Sequence, residues 1–240
     1  MVIVPARDEG PRIAAVVRGV VAVLPGVEVV VIENGSSDDT AERAREAGAT
    51  VLHSQVGYAR ALRVGFAHAH ASGAPWVVTV DGDGQHPPEA LASLLLGLDD
   101  ADLVVGSRFL QGAGYPVPAR RRLAIGALSA WASLFGGQAL TDVTSGLRAM
   151  RPGVVADFAS AYPTDVADGN VLVRALRAGW RVREVPVAMR PRLGGSSQHQ
   201  SPRKSALFAL RMAQLCVREG LSHPGRAPRL PSDQAPVGRG

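Results

Sequence analysis

Residues 76–98 read WVVTVDGDGQHPPEALASLLLGL. The apolar run WVVTV is typical of a buried strand, and the pattern from Pro88 onward is typical of a helix. Two carboxylates, Asp81 and Asp83, stand one residue apart directly after the strand. Like charges this close repel unless a cation neutralises both or one of them takes up a proton. The stretch therefore predicts a strand, a charged strand end and a helix, in that order.

The same order recurs through the first 110 residues. Short β-branched runs alternate with longer helical patterns, which is typical of a parallel sheet covered by helices on both faces. Ser36 or Ser37 precedes the second helix as an N-cap, and Gly48 stands where a C-terminal glycine belongs. We predict an α/β fold with a Rossmann-like, mostly parallel central sheet flanked by helices. The expected strands are 2–4, 28–33, 50–53, 76–80 and 102–106, and the expected helices are 9–24, 37–47, 58–72 and 88–98.

The second half of the chain has a less regular pattern. It contains a basic helix at 119–137, a polar loop at 141–150, a helix around 170–178, a strand at 182–189 and a helix at about 205–219. We expect a main domain over residues 1–202 and a basic amphipathic helix over 203–220. Residues 221–240 are rich in proline, glycine and arginine, and we expect them to be disordered.

The net charge of +5 belongs to the C-terminal end of the chain. From Arg203 onward there are seven basic and two acidic residues, whereas the first 202 residues carry 19 of each. A neutral main body gives no support to nucleic-acid binding, so we expect no nucleic-acid partner. The single cysteine, Cys216, excludes an internal disulfide. We find no pattern of a membrane-spanning helix or a signal peptide, and we expect a cytoplasmic protein.

The last predicted helix is basic on one side. Lys204, Arg211 and Arg218 recur every seven residues, and the opposite side carries apolar residues at 206, 210, 213 and 217. Such a helix is able to lie on an anionic membrane or to pack on the domain. Both interpretations stay open, and the first predicts a peripheral association with the inner membrane face.

Asp81 and Asp83 carry the strongest chemical signal in the sequence. Mg²⁺ and Mn²⁺ suit carboxylate, amide and phosphate oxygens, so these aspartates are candidate metal ligands. Gln85 or His86 is placed to add a ligand or to orient one. A solvated acidic turn explains so short a motif at least as well when it stands alone.

Two further strands of the predicted sheet end in polar residues. VPARDEG follows the first strand with Pro5, Arg7 and Glu9, and VIENGSSDDT follows the second with Glu33 and a helix N-terminus suited to ribose hydroxyls or phosphate. Each is an ordinary turn when taken singly. Since ligands in such sheets bind beyond the carboxyl ends of the strands, three polar strand ends together favour a binding site.

These segments resemble family 2 glycosyltransferases. Seven segments occur in the same order as in that family: IVPARDEG (3–10), VIENGSSDDT (31–40), GYARALRVGFAHA (57–69), DGDGQHPPE (81–89), DLVVGSRF (102–109), TDVTSGLRAM (141–150) and EVPVAMRPRLGGSS (184–197). The resemblance covers about residues 1–200 and is closer to the branch containing dolichol-phosphate mannosyltransferase and bacterial polyprenyl-phosphate glycosyltransferases. It implies a GT-A fold, a nucleotide-sugar donor and Mg²⁺ or Mn²⁺ at the D-x-D element.

The resemblance also implies roles for individual residues. Catalytic roles fall to Asp83, to Arg108 beside the sugar or acceptor, and to Arg192 near phosphate charge. The nucleotide-sugar site takes Pro5, Arg7, Glu9, Glu33, Asp81 and Asp83, with Glu33 standing where the family usually has an aspartate. The metal site takes Asp81, Asp83 and Gln85. A metal and a guanidinium stabilise the charge that develops on the leaving diphosphate.

The acceptor implied by the resemblance is a polyprenyl phosphate. Its phosphate would attack the anomeric carbon in a single displacement with inversion, which needs no strong base. Two departures from the family leave a soluble hydroxyl or phosphate acceptor open: Gln198 replaces a frequent lysine, and Asn170 replaces a frequent glutamate. A hydroxyl acceptor would take Asp165 or Asp168 as its base, although capping or solvation also explains these acids. Arg120 begins a basic run that lies near the acceptor entrance in the family and is otherwise a solvated face. A non-catalytic nucleotide-binding protein is the third interpretation, and the retained site residues argue against it.

Overall fold

The structure, a computed structural model, describes residues 1–110, 118–190 and 202–222, without the side chains of 202–204. The strands are β1 Val2–Ala6, β2 Val29–Glu33, β3 Thr50–His53, β4 Val77–Thr79, β5 Leu103–Ser107, β6 Arg148–Met150 and β7 Val182–Pro186. The helices are α1 Gly10–Val23, α2 Thr40–Glu46, α3 Tyr58–Ala71, α4 Ala90–Gly97, α5 Ala119–Gly136, α6 Pro152–Ala161, α7 Gly169–Arg177 and α8 Pro202–Ser222. Residues 223–240, which include most of the predicted disordered tail, lie outside the described part.

The strands form one seven-stranded sheet in the order β3-β2-β1-β4-β6-β5-β7. All pairings are parallel except those of β6, which runs antiparallel to both β4 and β5. The predicted α/β fold with a mostly parallel sheet is therefore confirmed. The predicted polar loop at 141–150 is wrong at its end, because residues 148–150 form β6. A three-residue strand that begins with an arginine leaves no apolar run for a pattern to detect.

Both faces of the sheet are covered around β1, which explains why that strand is continuously apolar. In β1, Ile3 packs into the core on one face, and its neighbours Val2 and Val4 pack into the core on the other. The helix α6, which the sequence analysis did not predict, adds an aromatic layer on the first face. Its Phe158 ring lies 5.4 Å from that of Phe66 on α3. Burying each such side chain stabilises the fold by about 2 kcal/mol.

The C-terminal helix α8 packs against α5 and α7. Its buried residues include Met212, Leu215 and Cys216, whereas Leu207 and Leu210 are exposed. The helix therefore contacts the domain through a different side from the apolar one that the sequence predicted. Among the helices of the described ranges, none has the length and apolarity that crossing a membrane requires.

Candidate active site

The two predicted metal-binding aspartates follow β4, whose neighbours are β1 and β6. Asp83 is buried and Asp81 is half-buried. Gly82, between them, lies so close to the end of β1 that a Cβ atom would approach the Pro5 carbonyl oxygen to 3.3 Å. The loop is thus pressed against the carboxyl end of β1, and Pro5, a predicted nucleotide-site residue, is buried within that strand. This is the edge of the sheet where ligands of α/β folds bind.

Two side chains, Tyr58 and His86, lie beside the carboxylate of Asp81. The Tyr58 hydroxyl donates a hydrogen bond of 2.9 Å to its Oδ1 atom. The backbone N–H of Asp81 donates to His86 Nδ1 at 3.0 Å, and His86 Nε2 lies 3.6 Å from Asp81 Oδ2. Because Nδ1 accepts a hydrogen bond, the proton of the neutral ring is on Nε2, facing the carboxylate. This arrangement favours an orienting role for His86 over a role as metal ligand.

Burial, and then the charge of Asp81, raise the pKa of Tyr58 well above its usual value. The hydroxyl therefore keeps its proton through the neutral range and acts as a donor to Asp81. The sequence analysis did not identify Tyr58, because it lies in a different segment of the chain, at the start of α3.

The second aspartate shapes the loop that follows it. Asp83 Oδ1 accepts the backbone N–H of Gln85 at 3.0 Å, and Gly84 makes the turn with a φ of +76°. The Gln85 side chain donates through Nε2 to the Arg190 carbonyl at 3.2 Å, and Arg190 N–H donates to the Gln85 carbonyl at 2.8 Å. The segment after β7 is therefore bonded directly to the aspartate loop.

The donor set of this loop fits a divalent cation that is shared with a substrate. Within residues 1–110, 118–190 and 202–222, no three His, Cys, Asp or Glu side chains are grouped as a metal site. Two carboxylates that stand one residue apart in the chain remain, Asp81 and Asp83. Mg²⁺ typically binds through one or two carboxylates and takes its other ligands from water and substrate phosphates. The pair is sufficient for that mode, and Gln85 as a third ligand remains a prediction.

Arg108 stands just after β5 and is held by a buried carboxylate. Its Nε atom donates to Asp142 Oδ2 at 2.6 Å and its Nη2 atom to Asp142 Oδ1 at 2.7 Å. Asp142 is fully buried, and Glu184 of β7 accepts its backbone N–H at 2.8 Å. The guanidinium plane is consequently fixed. Neither Asp142 nor Glu184 was identified from sequence, where each is a single acid in a mixed segment.

Asp168 is the predicted acceptor-side residue that the structure brings toward the aspartate loop. It precedes α7, and burial raises its pKa to about 6, with Arg148 opposing this and Asp81 adding to it. Asn170 is fully buried and accepts the Asp168 backbone N–H at 3.0 Å. Asn170 thus fixes the turn before α7. The charge of Asp81 acts on Asp168 and helps to raise its pKa.

Asp165 lies elsewhere. It is exposed and forms an ion pair of 3.2 Å with Arg211 of α8. Partial burial would raise its pKa, but hydrogen bonds from the Val166 N–H and from Arg211 lower it. A carboxylate with a lowered pKa is a weak base, so the structure supports Asp168 over Asp165 as an acceptor-side group.

The loops after β1 and β2 are bonded to each other. Ser37 N–H donates to Asp8 Oδ1 at 2.7 Å, and Gly10 N–H, at the start of α1, donates to Asp38 Oδ2 at 3.0 Å. The N-cap position of α2 is Asp39, so the predicted caps Ser36 and Ser37 are wrong. Ser37 instead binds Asp8 of the neighbouring loop. The acidic side chains of Asp38 and Asp39 lie at these helix N-termini.

The remaining predicted nucleotide-site residues lie around these loops. Arg7 is exposed, and Glu9 forms an ion pair of 2.6 Å with Arg12. Glu33 accepts the backbone N–H of Ser36 and lies 3.0 Å from His53 Nδ1. Partial burial acts to raise the pKa of Glu33. The hydrogen bonds from Ser36 and His53 outweigh it, and the pKa is lowered. The Glu33 carboxylate is therefore ionised and held in place.

Two further predicted residues complete the comparison. Arg192 lies outside the described residues, two positions beyond the bonded Arg190. Arg120 is exposed in the first turn of α5. The structure therefore gathers Asp81, Asp83 and Asp168 near one edge of the sheet and leaves Arg120 on a helix surface.

The fold and the aspartate loop define a sugar-transferring enzyme. Residues 1–174 match Glycosyl transferase family 2, and the chain belongs to that family. The predicted resemblance is confirmed, and the protein is a glycosyltransferase.

Relatives of known name lie in the branch that the sequence predicted. The chain is 30% identical to polyprenol monophosphomannose synthase of Mycolicibacterium smegmatis, over 87% of this chain and 84% of that one. It is 32% identical to dolichyl-phosphate hexose transferase of Haloferax volcanii, over 80% and 83%. It is 30% identical to undecaprenyl-phosphate mannosyltransferase of Micrococcus luteus, over 82% and 86%.

Solved structures share the fold. Glucosyl-3-phosphoglycerate synthase of Mycobacterium tuberculosis, crystallised with Mn²⁺, uridine diphosphate and phosphoglyceric acid, superposes with a TM-score of 0.68 at 18% identity. That match covers 91% of this chain and 77% of the other. A complex of the same enzyme with Mg²⁺ and uridine diphosphate gives a TM-score of 0.67 at 18% identity, over 98% and 84% of the two chains. The predicted GT-A fold is thus confirmed.

Proposed function

We propose that the protein transfers a hexose from a UDP- or GDP-sugar to a polyprenyl phosphate, with Mg²⁺ or Mn²⁺ and inversion at the anomeric carbon. The observation that carries the proposal is the pair Asp81 and Asp83 at the carboxyl end of β4. A position beside the central strands β1 and β4 is where an α/β sheet binds a nucleotide. The names of the three relatives support the class of acceptor.

In this mechanism the chain orients groups and supplies charge. Asp81 and Asp83 would hold the cation, which would supply stabilisation of the negative charge on the leaving diphosphate. Arg108 keeps its guanidinium in one plane through its bonds to Asp142 and serves the sugar or the acceptor. Arg192 follows the bonded Gln85–Arg190 contact and meets phosphate charge.

The acceptor phosphate is already ionised near neutral pH, so no base is needed to activate it. Asp168 then lines the acceptor side without transferring a proton. A hydroxyl acceptor is the second candidate, and the raised pKa of Asp168, about 6, is the observation that favours it, because a base near that value works at neutral pH. Asp168→Asn separates the two, since only the hydroxyl reaction depends on the carboxylate.

The polyprenyl acceptor requires access to a membrane surface, and α5 and α8 provide a suitable one. Trp131 of α5 donates its indole N–H to the Ala213 carbonyl of α8 at 3.1 Å, which joins the two helices. Five leucines on these helices are exposed: Leu123, Leu134, Leu207, Leu210 and Leu221. We call them the leucine face. Among the side chains of these helices that the structure describes, the exposed arginines are Arg120, Arg121, Arg122, Arg211 and Arg218.

An exposed apolar face with flanking cations is the composition of a helix that lies in a membrane interface. Apolar side chains enter the acyl boundary, and arginines attract anionic headgroups. The proposed location is therefore cytoplasmic, peripheral on the inner membrane face.

The decisive experiment screens UDP- and GDP-sugars with Mg²⁺ or Mn²⁺, with and without a short polyprenyl phosphate. The expected result is release of nucleoside diphosphate that requires one donor, the metal and the lipid phosphate, with a glycosylated lipid as product. Turnover that is the same with and without the lipid would contradict the polyprenyl acceptor. Turnover with a soluble phosphate or hydroxyl compound alone would favour the second candidate.

A further inference from the structure

The carboxylate of Asp81 is enclosed on three sides by residues from different elements. Tyr58 begins α3, His86 belongs to the loop after β4, and Gly146 stands in the loop that precedes β6. We call these three residues the Asp81 clamp. Tyr58 binds one carboxylate oxygen at 2.9 Å, and the His86 ring lies 3.6 Å from the other.

Gly146 closes the third side because it has no side chain. A Cβ atom on Gly146 would lie 2.6 Å from the Tyr58 hydroxyl and 2.8 and 2.9 Å from the two oxygens of Asp81. Gly146 is not among the residues with positive φ, so its glycine is required by space and not by backbone conformation. Its carbonyl accepts the Thr79 hydroxyl at 2.6 Å, which fixes this loop to β4.

Tyr58 is itself held in position from the neighbouring strand end. Asn34, buried directly after β2, accepts the Gly57 N–H through Oδ1 at 2.7 Å. The N-cap residue of α3 is thereby tied to the end of β2, and the Tyr58 ring packs against the core. The hydroxyl therefore reaches Asp81 from a rigid support.

We propose that Tyr58 is a positioning residue of the donor site, which with Gly146 and His86 fixes the Asp81 carboxylate in the orientation that binds the nucleotide and its cation. The inference rests on the proposed function of this site. Holding a carboxylate before the ligand arrives avoids the loss of side-chain freedom on binding, so affinity depends on the supporting hydrogen bond.

The test is calorimetric binding of UDP and GDP, each with Mn²⁺, to wild type and Tyr58→Phe. The substitution removes one hydroxyl and keeps the ring, and we expect it to raise the Kd of the bound nucleotide about tenfold. Ser72→Ala is the control, because it also removes one hydroxyl, which donates to the His68 carbonyl at 2.9 Å at the C-terminal end of the same helix. The control is expected to leave the Kd within about twofold of wild type.

A double-mutant cycle keeps the result independent of any general change in the fold. In an Asp81→Ala background, Tyr58→Phe is expected to have no further effect on the Kd, because the oxygen that accepts its hydrogen bond is gone. Equal Kd values for wild type and Tyr58→Phe, or additive effects in the cycle, would overturn the inference and leave the proposed function standing. If wild type binds neither nucleotide with Mn²⁺ or Mg²⁺, the proposed donor site is wrong and the inference falls with it.

Discussion

The Arg108 guanidinium and the Asp142 carboxylate form a two-pronged ion pair, with one oxygen of Asp142 bound at 2.6 Å and the other at 2.7 Å. Only 10% of the Arg108 side chain and none of the Asp142 side chain is exposed. The pair is therefore shielded from solvent, and removing either partner takes away the opposite charge that the other binds in a buried place.

Asp142→Ala is expected to lower the free energy of unfolding by about 3 kcal/mol, because it removes the buried carboxylate that accepts two hydrogen bonds from Arg108. Urea unfolding measures this change. Asp100→Ala is the control, since the Asp100–Arg183 pair is exposed at both ends and is expected to contribute less than about 1 kcal/mol. Equal losses of unfolding free energy in the two variants would show that the Arg108–Asp142 pair contributes no more to stability than an exposed ion pair.

Asp83→Asn is expected to reduce metal-dependent turnover by more than about 100-fold, because it removes one of the two carboxylate charges proposed to bind the cation. The amide keeps an Oδ1 atom for the Gln85 N–H, so the melting temperature is expected to stay near that of wild type. Asp39→Asn, on the exposed Asp39–Arg43 pair, is the control for a lost surface charge. Full turnover by Asp83→Asn would contradict a catalytic role for this aspartate.

Asp168 is expected to make stability depend on pH. Its pKa rises from 3.8 to about 6 on folding, so the folded state retains the proton over that interval. A raised carboxyl pKa stabilises the fold at low pH, and this contribution is lost as the pH rises through about 6. Wild type is therefore expected to lose stability relative to Asp168→Asn between about pH 4 and 6, by on the order of 1–3 kcal/mol. Parallel urea-unfolding profiles of the two proteins across this range would contradict the shift.

The leucine face is expected to control membrane binding. A variant carrying Leu134→Asp and Leu210→Asp is expected to bind vesicles containing anionic lipid at least about tenfold more weakly, since each leucine removed from the acyl boundary forfeits about 2 kcal/mol. Leu96→Asp is the control, because Leu96 is 68% exposed on α4, outside this face. Flotation with the vesicles at low and high salt measures both the apolar and the charged contribution. Unchanged flotation of the double variant would remove the leucine face from the proposed function.

Sequence reasoning identified the parts of the site that lie within one segment. Asp81 and Asp83 follow an apolar run directly, so the strand and its charged end are visible together. The fold class was predictable for the same reason, because the strands β1, β2 and β5 each begin with a run of at least three apolar residues.

The partners of those residues could not be read from the sequence. Tyr58 lies 23 positions from Asp81 in the chain, and Asp142 lies 34 positions from Arg108. Contacts over such distances depend on how helices and loops return to the sheet, and no local periodicity records that. The helix caps failed for a similar reason, since Ser37 binds Asp8 of another loop and does not cap its own helix.

The antiparallel direction of β6 determines at which of its ends the chain is expected to tolerate an insertion. Because β6 runs against β4 and β5, the loop that enters it, with Asp142, Thr144 and Gly146, meets the substrate edge. The residue that leaves it, Arg151, bonds through its N–H to the carbonyl of Asp102 at the opposite end of β5. Chain length added between β6 and α6 would therefore extend from the opposite end of the sheet, whereas each residue added before β6 would displace residues of the proposed active site.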